Sequence, residues 1–148
     1  MDDEAVATAR RTTLTVLLGT ALATVAALTL VPTGTGWRWG APTAELHWYL
    51  TGLGSEATMV QLVGNLALLV VPAALAVLRW PSLGRAARLV GVALAAGTTI
   101  ELLQRVLPLG RVVSPLDAVL NAVGAITAGL VVTRVHGWVR PVPRKVPG

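Results

Sequence analysis

The sequence predicts an all-α membrane bundle of four transmembrane helices, with the N and C termini cytoplasmic. Three observations carry that prediction. Of 148 residues, 54% are hydrophobic and only 13% are charged, against roughly 25% charged in a soluble domain. Mean hydropathy is +0.70. Four apolar runs approach the roughly 20 residues that cross a hydrocarbon core at 1.5 Å per residue. Basic residues are shared unequally between the two sets of connections. The length allows one domain. There is no Cys, which excludes a disulfide, a thiol nucleophile and a Cys metal site.

Residues 1–13 read as a cytoplasmic N-terminal segment, and residues 14–135 as the transmembrane domain. The first span is about Leu14–Val31, with no charge inside it. It exceeds the roughly 7–15 residues of a signal-peptide core, and Asp2, Asp3 and Glu4 precede it. It is therefore expected to be a retained span. Residues 32–58 are rich in Pro, Gly and Thr and form an outer loop. Within it, Ala44–Leu53 reads as a short interfacial helix with Leu46, Tyr49, Leu50 and Leu53 as its apolar stripe. The second span is about Met59–Leu78, with Pro72 expected to kink it. Residues 79–85 are a short basic loop, followed by the third span, about Ala86–Leu107. Residues 108–115, with Pro108, Gly110 and Pro115, form a tight turn. The fourth span is about Leu116–Val135, and residues 136–148 are a basic, Pro-rich cytoplasmic tail. In lipid each backbone must satisfy its own hydrogen bonds, so each run is a helix.

Four spans place the N-terminus, the second connection and the C-terminus on one side. Arg10, Arg11, Arg79, Arg85, Arg88, Arg134, Arg140, Arg144 and Lys145 fall there, nine basic residues. The other side carries Arg38, Arg105 and Arg111. That bias puts both termini inside. Trp37, Trp39, Trp48 and Tyr49 fall in the outer loop, and Trp80 and Trp138 just past the opposite ends of spans two and four. This is the pattern of an aromatic belt. The net charge of +5 is then mostly an orienting rim, so nucleic acid is not an expected partner.

Polar residues inside the spans are the functional candidates, because lipid disfavours them. Gln61 and Asn65 are i,i+4, Glu101 and Gln104 are i,i+3, and Asp117 and Asn121 are i,i+4. Each pair shares one face of its helix. Asn65, Glu101 and Asn121 lie roughly 8–9 Å below the outer boundary, at 1.5 Å per residue. The expected arrangement is one outward-open pocket, with Arg111 above it offering a fork for a carboxylate or phosphate. Each residue also has a plainer reading. Glu101 can pair with Arg105. Ser114-Pro115-Leu116-Asp117 reads as N-cap, N1, N2 and N3, making Asp117 part of a capping box. Asn65, Gln104 and Asn121 can be interhelical glue, and Arg111 a solvated turn residue.

The stretch Glu101, Gln104, Arg111, Ser114, Asp117, Asn121, Gly124 and Gly129, with Gly64-Asn65 and Pro72 upstream, resembles the VanZ-like family of small membrane proteins. The likeness covers roughly residues 60–130. Val70-Val71 and Ala73-Ala74 stand where the family often has Phe before that Pro and Gly after it. The family is named for resistance to teicoplanin, a lipoglycopeptide. The resemblance implies a multi-pass protein of the cell membrane, acting at the outer envelope. It maps a polar site onto Asn65, Glu101, Gln104, Arg111, Asp117 and Asn121.

The leading expectation is a pocket that binds a lipid headgroup, a lipid-linked precursor or a lipoglycopeptide. An alternative is an enzyme acting on a lipid-linked substrate, with Glu101 and Asp117 as acid and base. The chain has no HExxH, G-x-S-x-G or P-loop, which weighs against an enzyme. A third reading is a bundle whose polar residues only join helices. No metal and no cofactor are expected, since two carboxylates and amides are a sparse set for a cation cage.

Overall fold

The structure, a computed structural model, describes residues 2–139, with side chains described as far as His136. It is a helical bundle. Helix α1 (Asp3–Leu30) leads to a short strand β1 (Trp37–Trp39) and helix α2 (Pro42–Gly52). Next come α3 (Glu56–Leu68), α4 (Val70–Arg79) and a 3-10 turn (Pro81–Gly84). Helix α5 (Ala86–Val106), strand β2 (Arg111–Val113) and helix α6 (Pro115–Val139) complete the fold. Four segments are long and apolar enough to cross a membrane: Asp3–Leu30, Glu56–Arg79, Ala86–Val106 and Pro115–His136.

The first helix starts at Asp3, so the segment before Leu14 is not separate from the span. Asp3 and Glu4 sit in its first turn, where acids favour the helix N-terminus. The Thr residues of α1 do not interrupt it. The hydroxyls of Thr12, Thr13, Thr15, Thr20, Thr24 and Thr29 each donate to the carbonyl four residues back. No hydroxyl among them is then left bare toward lipid. The fourth helix runs past Val135 to Val139, and residues 140–148 of the expected tail lie outside the described residues.

The second span is broken, as Pro72 predicts. Pro72 has no N–H, and its ring crowds the carbonyl four residues earlier, at Leu68. Helix α3 stops at Leu68, and Leu69 leaves the helical region at φ −100° and ψ 5°. Helix α4 then starts at Val70.

The core runs through Val25, Leu69, Ala93, Ile100, Ala122 and Ala125. Helix α6 is its centre, packing against α5, α4 and α3, while α1 packs along α4. Small residues allow these approaches. A side chain at Gly124 would run into the backbone of Leu66 on α3, and one at Gly97 would meet the carbonyl of Ala118 on α6. Elsewhere the spans stay bare: Val16, Leu22, Val63, Val92, Leu102 and Val131 are all exposed, the surface expected against acyl chains.

One feature adds to the all-α expectation. Strands β1 and β2 pair in parallel, Trp37 with Arg111, Arg38 with Val112 and Trp39 with Val113. The turn at Gly110 takes φ +70° and lies against the backbone of Gly34, a conformation and a closeness that only glycine allows. The outer loop and the 108–115 turn are thus joined at one end of the bundle. At the other end, Arg10 meets His136 at 3.3 Å and Arg79 Nε donates to Thr15 at 3.1 Å.

Candidate functional site

The functional candidates gather at the end that carries the two strands. Helix α6 starts there with Ser114 as its N-cap. The backbone N–H of Asp117 donates to Ser114 Oγ at 3.0 Å, which is the local cap that the spacing predicts. The reciprocal half of a capping box is supplied differently. The carboxylate on Ser114 N–H comes from Glu101 on α5, at 2.7 Å, and not from Asp117. The carboxylate of Asp117 is thereby released toward α2 and α3. It accepts the Tyr49 hydroxyl at 3.1 Å and the Gln61 amide at 3.2 Å.

Helix α2 supplies a second pair to the same network. Ser114 Oγ donates to Glu45 at 2.5 Å, and Glu45 and Tyr49 are one turn apart. Burial raises the Glu45 carboxyl above its ordinary value near 4.5; the Ser114 hydrogen bond opposes this and the Asp117 charge adds to it. Burial and the Asp117 charge also raise the Tyr49 phenol, which keeps it a neutral donor. Tyr49 is therefore buried and turned inward, not part of the lipid-facing stripe expected for this helix. Leu46, Leu50 and Leu53 do remain exposed.

Two further candidates reach α1. Gln104 donates to the Thr29 carbonyl at 3.1 Å. One Arg111 nitrogen donates to the carbonyls of Leu28 and Val31 at 2.9 and 3.0 Å. These are orphan acceptors of the α1 C-terminus, where a cation is favourable. Arg111 is therefore not a solvated turn residue. Arg105 does not pair with Glu101; its guanidinium stacks over Trp37 at 3.6 Å.

These helices enclose a cavity of about 730 Å³. Asn65, Glu101, Gln104, Arg111, Asp117 and Asn121 all line it, together with Gln61. Asn121 is 1% exposed, and its Oδ1 has no partner among the described residues; nor has Arg111 Nε. The wall on the α3 side includes Ala57, Val60 and Gly64, which are exposed. The cavity therefore borders the lipid-facing surface as well as the loops. Among the described residues, no group of three or more His, Asp or Glu is placed to hold a metal ion.

Sequence reasoning singled out the residues on three helices and missed Glu45, while reading Tyr49 as belt and stripe. The Glu45–Tyr49 spacing repeats the i,i+4 pattern of Gln61–Asn65 and Asp117–Asn121, and that was the available signal. No curated protein and no solved structure matches the chain. The VanZ/LLP1 family matches over residues 7–136, a stretch that holds all four spans almost entire and every polar residue of the cavity. The chain belongs to the VanZ/LLP1 family.

Proposed function

We propose that this multi-pass protein of the cell membrane binds the polar group of a membrane amphiphile in its polar cavity, on the outer side. An envelope lipid headgroup, a lipid-linked precursor or a lipoglycopeptide fits that description. Binding of this kind would lower the access of a teicoplanin-type drug to its target. The observation that carries the reading is the convergence of Asn65, Glu101, Gln104, Arg111, Asp117 and Asn121 on one cavity. Three spans and a loop spend polar groups there at a cost that interhelical contact alone does not require. The exposed α3 wall supports a ligand with an apolar tail, which can remain in the bilayer while its head enters. The nine-to-three distribution of basic residues supports an outward cavity.

Binding is favoured over acid–base chemistry at Glu101 and Asp117. Both Asp117 oxygens are engaged, by Tyr49 and Gln61, and one Glu101 oxygen holds Ser114 N–H. The test is drug susceptibility in a strain that depends on this gene. Arg111→Ala and Glu101→Gln, at wild-type expression, are expected to lose most of the protection. Full protection from both would reject the proposal.

A further inference from the structure

The cavity divides its hydrogen-bonding groups unevenly. Its side-chain donors are largely spent on the protein. Gln61 gives its amide nitrogen to Asp117, and Gln104 gives its own to Thr29. The carbonyl oxygens of both amides accept no hydrogen bond among the described residues. Deeper, Asn121 Oδ1 is buried without a partner among the described residues, and one Glu101 oxygen remains beyond the one that holds Ser114. The interior is thus richer in free acceptors than in free donors, the amide nitrogens of Asn65 and Asn121 being its remaining neutral donors. A buried acceptor with no partner is costly, and a ligand that fills this need gains most from a group with several N–H bonds. At the rim the balance reverses. Arg111 is cationic, and its buried Nε has no partner among the described residues.

We infer that the cavity selects a headgroup with a primary ammonium and a phosphate, the ammonium seated by Asn121 and Glu101 and the phosphate by Arg111. This rests on the reading of the cavity as a binding site for a membrane amphiphile and names the class of that ligand. A primary ammonium brings three donors to the acceptors inside. A quaternary ammonium brings none, and a purely anionic headgroup places its charge against Glu101 and Asp117. Glu45 stands behind Ser114 and adds to the negative field.

The test uses the full chain in nanodiscs holding equal amounts of phosphatidylethanolamine, phosphatidylcholine and phosphatidylglycerol. Native mass spectrometry then reads which lipid the ejected protein retains. Phosphatidylethanolamine is expected to exceed each of the others by about tenfold, the ratio that one such hydrogen bond supports. Asn121→Leu should abolish the preference, and Asn121→Asp, of equal size, should keep or raise it. Thermal unfolding of each variant checks the fold, and the Asp variant carries the test if the Leu variant is unstable. Retention of phosphatidylglycerol at or above phosphatidylethanolamine, lost in Asn121→Leu, would overturn the ammonium assignment while leaving the binding site in place. Equal retention of phosphatidylethanolamine and phosphatidylcholine would do the same. Retention that no Asn121 variant alters would reject both the assignment and the site.

Discussion

Ser114 is held at two atoms by three partners. Its Oγ accepts the Asp117 N–H and donates to Glu45, and its own N–H donates to Glu101. Ser114→Ala should therefore cost about 1 kcal/mol or more, the usual value of an N-cap. Glu101→Gln keeps an acceptor for the Ser114 N–H and should be tolerated in stability. Glu101→Leu orphans that N–H and should cost roughly 1–3 kcal/mol. Thermal unfolding in detergent micelles checks both orders. Glu45 gives a pH dependence. Its carboxyl is raised in the folded protein by burial, so the folded state holds its proton more tightly than the unfolded state. Its contribution to stability is then present in acid and is lost as pH rises from about 4.5 through the raised value. The difference in unfolding midpoint between wild type and Glu45→Gln should shift in that direction with pH; a constant difference would contradict it. The cap at Ser114 is legible from four consecutive residues, because capping is local. The Glu101 bond is not. It depends on how the 108–115 turn brings the end of one span back onto the start of the next.

Single elements show the same split between local and distant causes. The break at Leu69 follows from Pro72, whose effect reaches only one turn. The apolar stripe assigned to α2 is right for Leu46, Leu50 and Leu53 but not for Tyr49. At 3.6 residues per turn Tyr49 shares a face with Glu45 as readily as with the leucines, and only packing against α6 decides between them. The strands were not legible at all. Each has three residues, too few for a period to register, and their pairing joins distant segments. Glycines in the spans separate by what they face. Gly124 lies against the Leu66 backbone, so Gly124→Leu should destabilise by about 1–3 kcal/mol or more as α3 and α6 are forced apart. Gly91 has open space around it, so Gly91→Ala should be neutral or stabilising by up to about 1 kcal/mol. Unfolding midpoints of the two variants should diverge; equal losses would contradict the α3–α6 contact.

For the whole molecule, burial is shallow: 17%, 17%, 22% and 33% of the four span windows are covered by the protein itself. The rest of the apolar surface is left for lipid. The bundle is therefore expected to keep its tertiary packing only while a bilayer or detergent covers it. Orientation is testable directly, because the chain has no Cys. Single cysteines at His47 and at Leu83 should label from opposite sides in intact cells, with His47 reached by a membrane-impermeant thiol reagent. Labelling of Leu83 alone would invert the topology. The number and placement of spans are legible because composition and run length act on every residue of a helix. The cavity is legible in part, since polar residues in lipid are conspicuous, while the Glu45–Tyr49 pair of α2 that braces Ser114 and Asp117 lies where polar residues are ordinary.

The parallel pair of β1 and β2 also has a meaning in time. Trp37 leaves the ribosome well before its partner Arg111, with α2, the second span and the third span between them. Until the third span is inserted and the turn behind it emerges, the first loop has nothing to pair with. Arg111, which also ties down the end of α1, arrives with that same turn. A nascent chain halted after two spans would therefore lack both the strand pair and the cavity wall that Arg111 and Val112 form.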